Sequence, residues 1–286
     1  MYTLTLPLAA CVLDSAPGDL ATATERAALT ADEPEILSVY FGVDNIVGVI
    51  QAAGCPIGSA SPIQDGMPIV FNVEIDQTTH HASDIAVTFR NRFGSYRTAT
   101  PACVGLPPAD DEPEDRTVLT AGQYGDGLNV ERVEIVGDVL DEDGRNLQGL
   151  SFDSVTPFGT GPSLIDAEVL ALDEWEPLDD APMTGDECAV GTEQIVQVTW
   201  QGGITNATND GELADEERME YRVMVITPDG EEISVTPFDL GDLNDGDNYN
   251  DLCLDVAGTP VEVSMDAGVV SDPSGFLNLA TTIPVL

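Results

Sequence analysis

Apolar and polar residues alternate with a period of two along most of this chain. In Met67-Pro68-Ile69-Val70-Phe71-Asn72-Val73-Glu74-Ile75 the positions Met67, Ile69, Phe71, Val73 and Ile75 fall on one face, as a strand with one buried side requires. Ile85, Val87 and Phe89 repeat the pattern, and Val133 and Ile135 do so beside outward Arg132 and Glu134. Ile165, Ala167 and Val169 complete a first set. A break follows at Asp173 to Glu187, which holds Pro177, Asp179-Asp180-Ala181-Pro182 and Gly185. The alternation then resumes with Val196, Val198 and Trp200, with Tyr221, Val223 and Val225, with Ile233 and Val235, and with Val261, Val263 and Met265. Hardly any segment is long and periodic enough for a helix, and Gly, Pro and Asp clusters separate the runs.

Short strands at this spacing predict an all-β chain of two antiparallel β-sandwich domains in tandem. The expected division is a leader over 1–11, a flexible tether over 12–34, a first sandwich over 35–172, an acidic linker over 173–186 and a second sandwich over 187–286. The tether contains Ser15-Ala16-Pro17-Gly18 and an Ala/Thr-rich continuation without strand periodicity.

Similar stretches close the two sets: Val136-Gly137-Asp138-Val139-Leu140-Asp141-Glu142-Asp143-Gly144-Arg145-Asn146-Leu147 and Gly268-Val269-Val270-Ser271-Asp272-Pro273-Ser274-Gly275-Phe276-Leu277-Asn278. Together with the strand from Pro68 to Asp76 and the following Ser83-Asp84-Ile85-Ala86-Val87, these resemble bacterial Ig-like domains of surface-layer and adhesin-type proteins. The resemblance covers most of 35–171 and is weaker over 187–286. It implies sandwiches used as spacers or binding modules without catalysis, and it brings no functional residue with it.

The beginning of the chain changes the setting. Leu8-Ala9-Ala10-Cys11 resembles a bacterial lipobox, which implies lipidation at Cys11 and a membrane contact through that lipid only. No Lys or Arg precedes the short apolar stretch, which suggests a start codon placed too late. Setting Cys11 aside leaves Cys55, Cys103, Cys188 and Cys253, an even set as an exported disulfide framework requires. Of the three connectivities, pairing Cys55 with Cys103 and Cys188 with Cys253 gives each sandwich its own bridge.

Charge narrows the partners. The chain has 9 Lys plus Arg, 52 Asp plus Glu and a formal net charge of −43, and all of its basic residues are Arg. Such a field repels phosphate backbones, so nucleic acid is not an expected partner. It also suits a saline habitat, because the Debye length falls to about 3 Å at 1 M salt. With 42% hydrophobic residues the chain nevertheless has enough apolar surface to build cores.

Candidate chemistry is sparse. Asp239 to Asp251 offers Asp242, Asn244, Asp245, Asp247 and Asp251 around Gly241 and Gly246, oxygen ligands of the kind Ca²⁺ takes, although the spacing is not that of an EF-hand. Asp, Asn and Gly are equally the residues of an ordinary turn. Asp138, Asp141 and Asp143 form a weaker calcium candidate, and His80-His81 reads as a solvated loop. The Gly-x-Ser-x-Gly, P-loop and dinucleotide motifs do not occur. Trp175, Tyr124 and Tyr249 lie in acidic or Gly-rich stretches, where exposed rings would suit a sugar, but packing of Trp175 against the domain boundary is the favoured expectation and no residue is assigned to a sugar.

The expectation is therefore a non-enzymatic lipoprotein of the bacterial cell envelope, structural or adhesive, with a surface polysaccharide or an envelope protein as partner. The alternative is a secreted carbohydrate-binding or hydrolytic accessory protein.

Overall fold

Residues 33–44, 65–76, 78–91, 93–105, 116–124, 130–172, 175, 188–211, 213–241 and 248–286 are described by a computed structural model of the chain. Among them every pairing between named strands is antiparallel. The one α-helix in these residues is a single turn, α1 (Asp215–Arg218).

One sheet combines β1 (Ile36–Val39), β2 (Val43–Asp44), β3 (Asp65–Phe71), β6 (Cys103–Gly105) and β7 (Thr117–Gly122), in the order β1-β3-β7-β6 with β2 also on β3. Facing it is the sheet of β4 (Ile85–Arg90), β5 (Tyr96–Ala99), β8 (Val130–Ile135) and β9 (Ser151–Phe152), in the order β5-β4-β8-β9. The period-two residues of both sheets meet between them: Met67, Ile69 and Phe71 from β3, Ile85 and Val87 from β4, and Val133 and Ile135 from β8 share one core. Each fully buried side chain of this kind stabilises the fold by about 1.5–3 kcal/mol.

The second sandwich has β10 (Leu164–Val169), β11 (Gln194–Trp200), β15 (Asp239–Gly241) and β16 (Tyr249–Leu254) in the order β10-β11-β16-β15. Its other sheet has β13 (Tyr221–Ile226), β14 (Glu232–Val235), β17 (Thr259–Met265) and β19 (Thr281–Pro284) in the order β14-β13-β17-β19. A short ribbon of β12 (Thr205–Asn206) and β18 (Val270–Ser271) is separate. Val196, Val198, Trp200, Tyr221, Val223, Val225 and Val263 form this second core. The Trp200 indole N–H, buried there, donates to Tyr221 Oη at 3.1 Å, which removes the cost of an unmet donor.

Two strands depart from the simple pattern. The strand expected to complete the first set, β10, instead pairs with β11, and its Leu164 and Ala167 join the second core. A register shift between Leu164 and Asp166 brings Leu164 into the core beside Ala167, which stays inside, while Val169 at the end of the strand is exposed. In β3 both faces are buried, because the face carrying Pro68 and Val70 is covered as well.

Four tight turns share one geometry. In Asn91 to Ser95, Asp141 to Arg145, Thr227 to Glu231 and Asp272 to Phe276, the fourth residue is Gly, and its N–H donates to the first residue's carbonyl. These glycines, Gly94, Gly144, Gly230 and Gly275, have φ of 77°, 78°, 83° and 83°. A side chain there costs about 1–2 kcal/mol. The first residue's side-chain oxygen accepts the fifth residue's N–H in all four. This is the three-residue hairpin loop with a bulge.

Cys188, just ahead of β11, is bonded to Cys253 of β16, with their Cα atoms 5.6 Å apart. Cys103 is disulfide-bonded too. Cys55 lies outside the described residues, as do Cys11, most of the expected tether and all of the expected linker except Trp175. Pro34–Leu286 form one compact unit, so the two cores are parts of one body.

Candidate functional site

The outer face of the first sheet is covered by the second sandwich, and the chemistry-bearing side chains collect along this junction. Its first element is Tyr40, directly after β1. Tyr40 Oη lies 2.7 Å from the Thr160 carbonyl oxygen and 2.6 Å from Asp272 Oδ2. The Tyr40 hydroxyl donates, and Asp272 Oδ2 and the Thr160 carbonyl are its two acceptors. Burial pushes the Asp272 pKa up, against the Tyr40 hydroxyl and the N–H groups of Phe276 and Ser274, which donate to the carboxylate and favour its charged form. The phenol of Tyr40 is pushed up as well, by burial first and then by Asp272.

Local sequence explains why Asp272 is available. In the equivalent turn Asp141 is consumed by its own fifth residue, since Arg145 Nε donates to Asp141 Oδ2 at 2.6 Å. In the second turn the fifth residue is Phe276, which leaves Asp272 Oδ2 for Tyr40. The Phe276 ring stacks edge-on against Phe158 at 5.0 Å, Phe158 against Phe41 at 6.0 Å and Phe41 against Tyr124 at 6.3 Å. An aromatic ladder thus runs from inside the first core to the turn after β18. Ser274 Oγ adds a hydrogen bond to the Gly42 carbonyl at 2.7 Å.

Arg116, directly before β7, makes the second polar contact. Its Nη1 meets Asp166 Oδ2 at 3.1 Å, its Nη2 meets Glu168, and its backbone N–H donates to Tyr249 Oη at 3.1 Å. Tyr249 Oη also shares a hydrogen bond with Thr117 Oγ1 at 3.0 Å. Burial raises the Asp166 pKa, and the Arg116 guanidinium opposes the shift. Gln201 Nε2 reaches Ser38 Oγ at 3.3 Å and Thr156 Oγ1 at 3.1 Å. Glycines let the backbones approach: a Cβ on Gly202 would sit 2.9 Å from Pro68 Cγ, and one on Gly161 would sit 1.6 Å from the Leu277 carbonyl oxygen.

A carboxylate pair lies within the first sandwich. Asp44 and Asp65 are register partners on β2 and β3, and Asp65 Oδ2 accepts the Tyr124 N–H at 2.8 Å. Burial, with Asp44 beside it, pushes Asp65 up to about 6.

The residues singled out from the sequence are dispersed. Asp242, Asn244, Asp245 and Asp247 lie outside the described residues. Asp251 is in strand β16, opposite Gln197 and Gly241, rather than in the loop expected there. Asp141 is held by Arg145, and Asp138 accepts from Asn146 Nδ2 at 2.8 Å. Among the described residues no group of three or more His, Cys, Asp or Glu is placed to hold a metal ion. His81 is exposed, but His80 is half-buried and its pKa is lowered by that burial, so the pair is less solvated than expected.

Tyr124 and Tyr249 are buried, at 1% and 6% exposure, because one joins the first core and the other the junction. Trp175 is half-buried and its indole N–H donates to the Leu170 carbonyl at 3.4 Å. Sequence reasoning passed over Tyr40, Arg116 and Asp166, whose partners are distant in the chain. The repeat of the Asp-x-x-Gly turn carried a usable signal, since Arg145 and Phe276 differ at one equivalent position.

No protein-family profile matches the chain, and no curated protein matches it. Among solved structures, that of domains 1-6 of the surface layer protein SbsC is similar over 84% of this chain and 42% of the other, at 14% identity and a TM-score of 0.29. A superposition that loose carries no function from one chain to the other.

Proposed function

We propose that this chain is a non-enzymatic structural or adhesive module of the bacterial cell envelope, two Ig-like sandwiches held as one stiff body and anchored by a lipid on Cys11. The observation that supports it is the junction: Tyr40, Asp272, Arg116, Asp166 and Tyr249, the kinds of side chain that could do chemistry, are engaged with one another between the sandwiches. Buried, mutually satisfied polar groups of this kind stiffen and orient. Calcium binding at Asp242, Asn244, Asp245, Asp247 and Asp251 is part of the same reading, as is a surface polysaccharide or an envelope protein as partner.

Stretching the chain between its ends by force spectroscopy tests the mechanical part. A stiff module gives one rupture for residues 34–286, whereas two separate ruptures of half the length refute it. Metabolic labelling with a palmitate analogue in a bacterial host, with any missing upstream residues restored, tests the anchor. Label should appear in the wild type and vanish in Cys11→Ser, and label retained by the variant refutes lipidation there.

A further inference from the structure

The β4–β5 hairpin reverses the character of the rest of the molecule. Between Asp84 and Asp110 there is no Asp or Glu, in a chain that has 52 of them, and three of its nine Arg, at 90, 92 and 97, fall there. The hairpin also displays large rings, with Phe93 77% and Tyr96 60% exposed. Arg90 holds Tyr96 in place, donating to its Oη at 3.0 Å and stacking 5.2 Å from its ring centroid, while Glu131 pairs with Arg90 at 2.7 Å. The ring is therefore fixed in an exposed position, which lowers the entropy lost when something covers it.

Among the described residues β5 is an edge strand paired with β4 only, and Tyr96, Arg97 and Thr98 are exposed along it. The second sandwich has a matching edge. Strand β14 pairs with β13 only, and Asp229, Glu231 and Glu232 are exposed at its start. An open edge invites another strand, and like charges are a device that prevents it. A β5 edge brings Arg97 to any strand that joins it and a β14 edge brings Glu231 and Glu232, so joining like edges gathers charge of one sign while joining unlike edges brings opposite charges together. The unlike combination is the one that charge permits.

We propose that the basic, aromatic edge of β5 docks on the acidic edge of β14 in a second copy of this chain, head to tail. The two edges belong to different sandwiches of one body, so the contact leaves a free edge at each end and extends to further copies. Four-residue edges bury little area, which makes each contact weak and the assembly dependent on concentration. The net charge of −43 keeps copies apart in dilute salt. At about 1 M salt that long-range repulsion is screened, while strand pairing and ring burial persist. The inference rests on the structural-module reading only in supplying its partner.

Sedimentation equilibrium of the full chain tests it. In 1 M NaCl the average mass should rise with concentration above the 30.2 kDa of one copy, and in 50 mM NaCl it should stay there. Arg97→Glu should restore the single-copy mass, as should the pair Glu231→Arg with Glu232→Arg. An equimolar mixture of these two proteins should assemble again, because each unlike edge then meets its complement. Phe93→Ser leaves the charge unchanged and should also weaken assembly, which serves if a charge reversal perturbs folding by near-ultraviolet circular dichroism. A wild type that stays at one copy overturns the proposal, as does assembly that survives Arg97→Glu. Retention of a single-copy wild type on an alginate matrix, lost in Arg97→Glu, would also overturn it and assign the hairpin to an anionic glycan. In each of these cases a single rupture under force would leave the module reading intact.

Discussion

At the scale of single residues, the junction depends on buried polar contacts between side chains far apart in the chain. Tyr40→Phe removes the hydrogen that Asp272 and the Thr160 carbonyl share, and leaving buried acceptors unmet costs about 1–3 kcal/mol. We expect a lowered denaturation midpoint in urea, and a double-mutant cycle with Asp272→Ala should show coupling, since both changes disrupt one contact. Additivity of the two losses would mean that the bond contributes nothing. Asp65 predicts a pH dependence. Its folded pKa of about 6 lies above the ordinary value of 3.8, so the native state binds the proton more tightly than the unfolded chain does. Its contribution to stability is therefore full below about pH 4 and is lost as pH rises towards 6. Asp65→Asn keeps an acceptor for the Tyr124 N–H and does not ionise. Its stability relative to wild type should increase between pH 4 and 6 and then level off, as read from urea melts across that range; a flat difference would contradict the assignment.

At the scale of elements, the same hairpin loop is used repeatedly, and its chemistry decides what each turn does beyond turning. Asp141 closes its loop on Arg145, whereas Asp272, with Phe276 in that place, reaches the other sandwich. The turn after β18 is thus both a chain reversal and a clasp. Gly161 is the point where the segment leading into β10 passes close to the residue that follows that clasp. Adding a Cβ there meets the Leu277 carbonyl oxygen, a backbone atom that cannot rotate away, so Gly161→Ala should loosen the junction while leaving both cores intact. Calorimetry should show one transition in the wild type and a broadened or split one in Gly161→Ala. An unchanged single transition would show that the junction does not depend on this approach.

For the whole molecule, charge and topology act at different ranges. The formal net charge of −43 is spread over the chain and responds to ionic strength, whereas a bound cation would respond to its own concentration. NaCl should raise the melting temperature gradually. If Asp242, Asn244, Asp245, Asp247 and Asp251 take calcium, millimolar CaCl₂ at matched ionic strength should add a saturable increment. Replacing Asp245 and Asp247 with Asn should remove that increment and leave the NaCl response nearly intact. A calcium effect unchanged in the double variant would place the ion elsewhere.

The all-β class was legible in the sequence because alternation with period two is a local property, set by which side of each strand meets water. Met67, Ile69 and Phe71, and equally Val196, Val198 and Trp200, announce their buried face from spacing alone. The Asp-x-x-Gly turns were legible for the same reason, since their Asp and Gly act on neighbours four residues away or fewer. The allegiance of β10 was not legible: a register shift brings Leu164 rather than Ile165 into the core, and its partner is chosen by hydrogen bonding to β11. Nor was the burial of Tyr124 and Tyr249, whose sequence neighbours are polar while their spatial neighbours are not. Tyr40 and Asp272 stand 232 residues apart, and Arg116 and Tyr249 stand 133 apart. Contacts of that span leave no periodic trace, because they depend on how two finished sandwiches pack, and only the tertiary structure decided them.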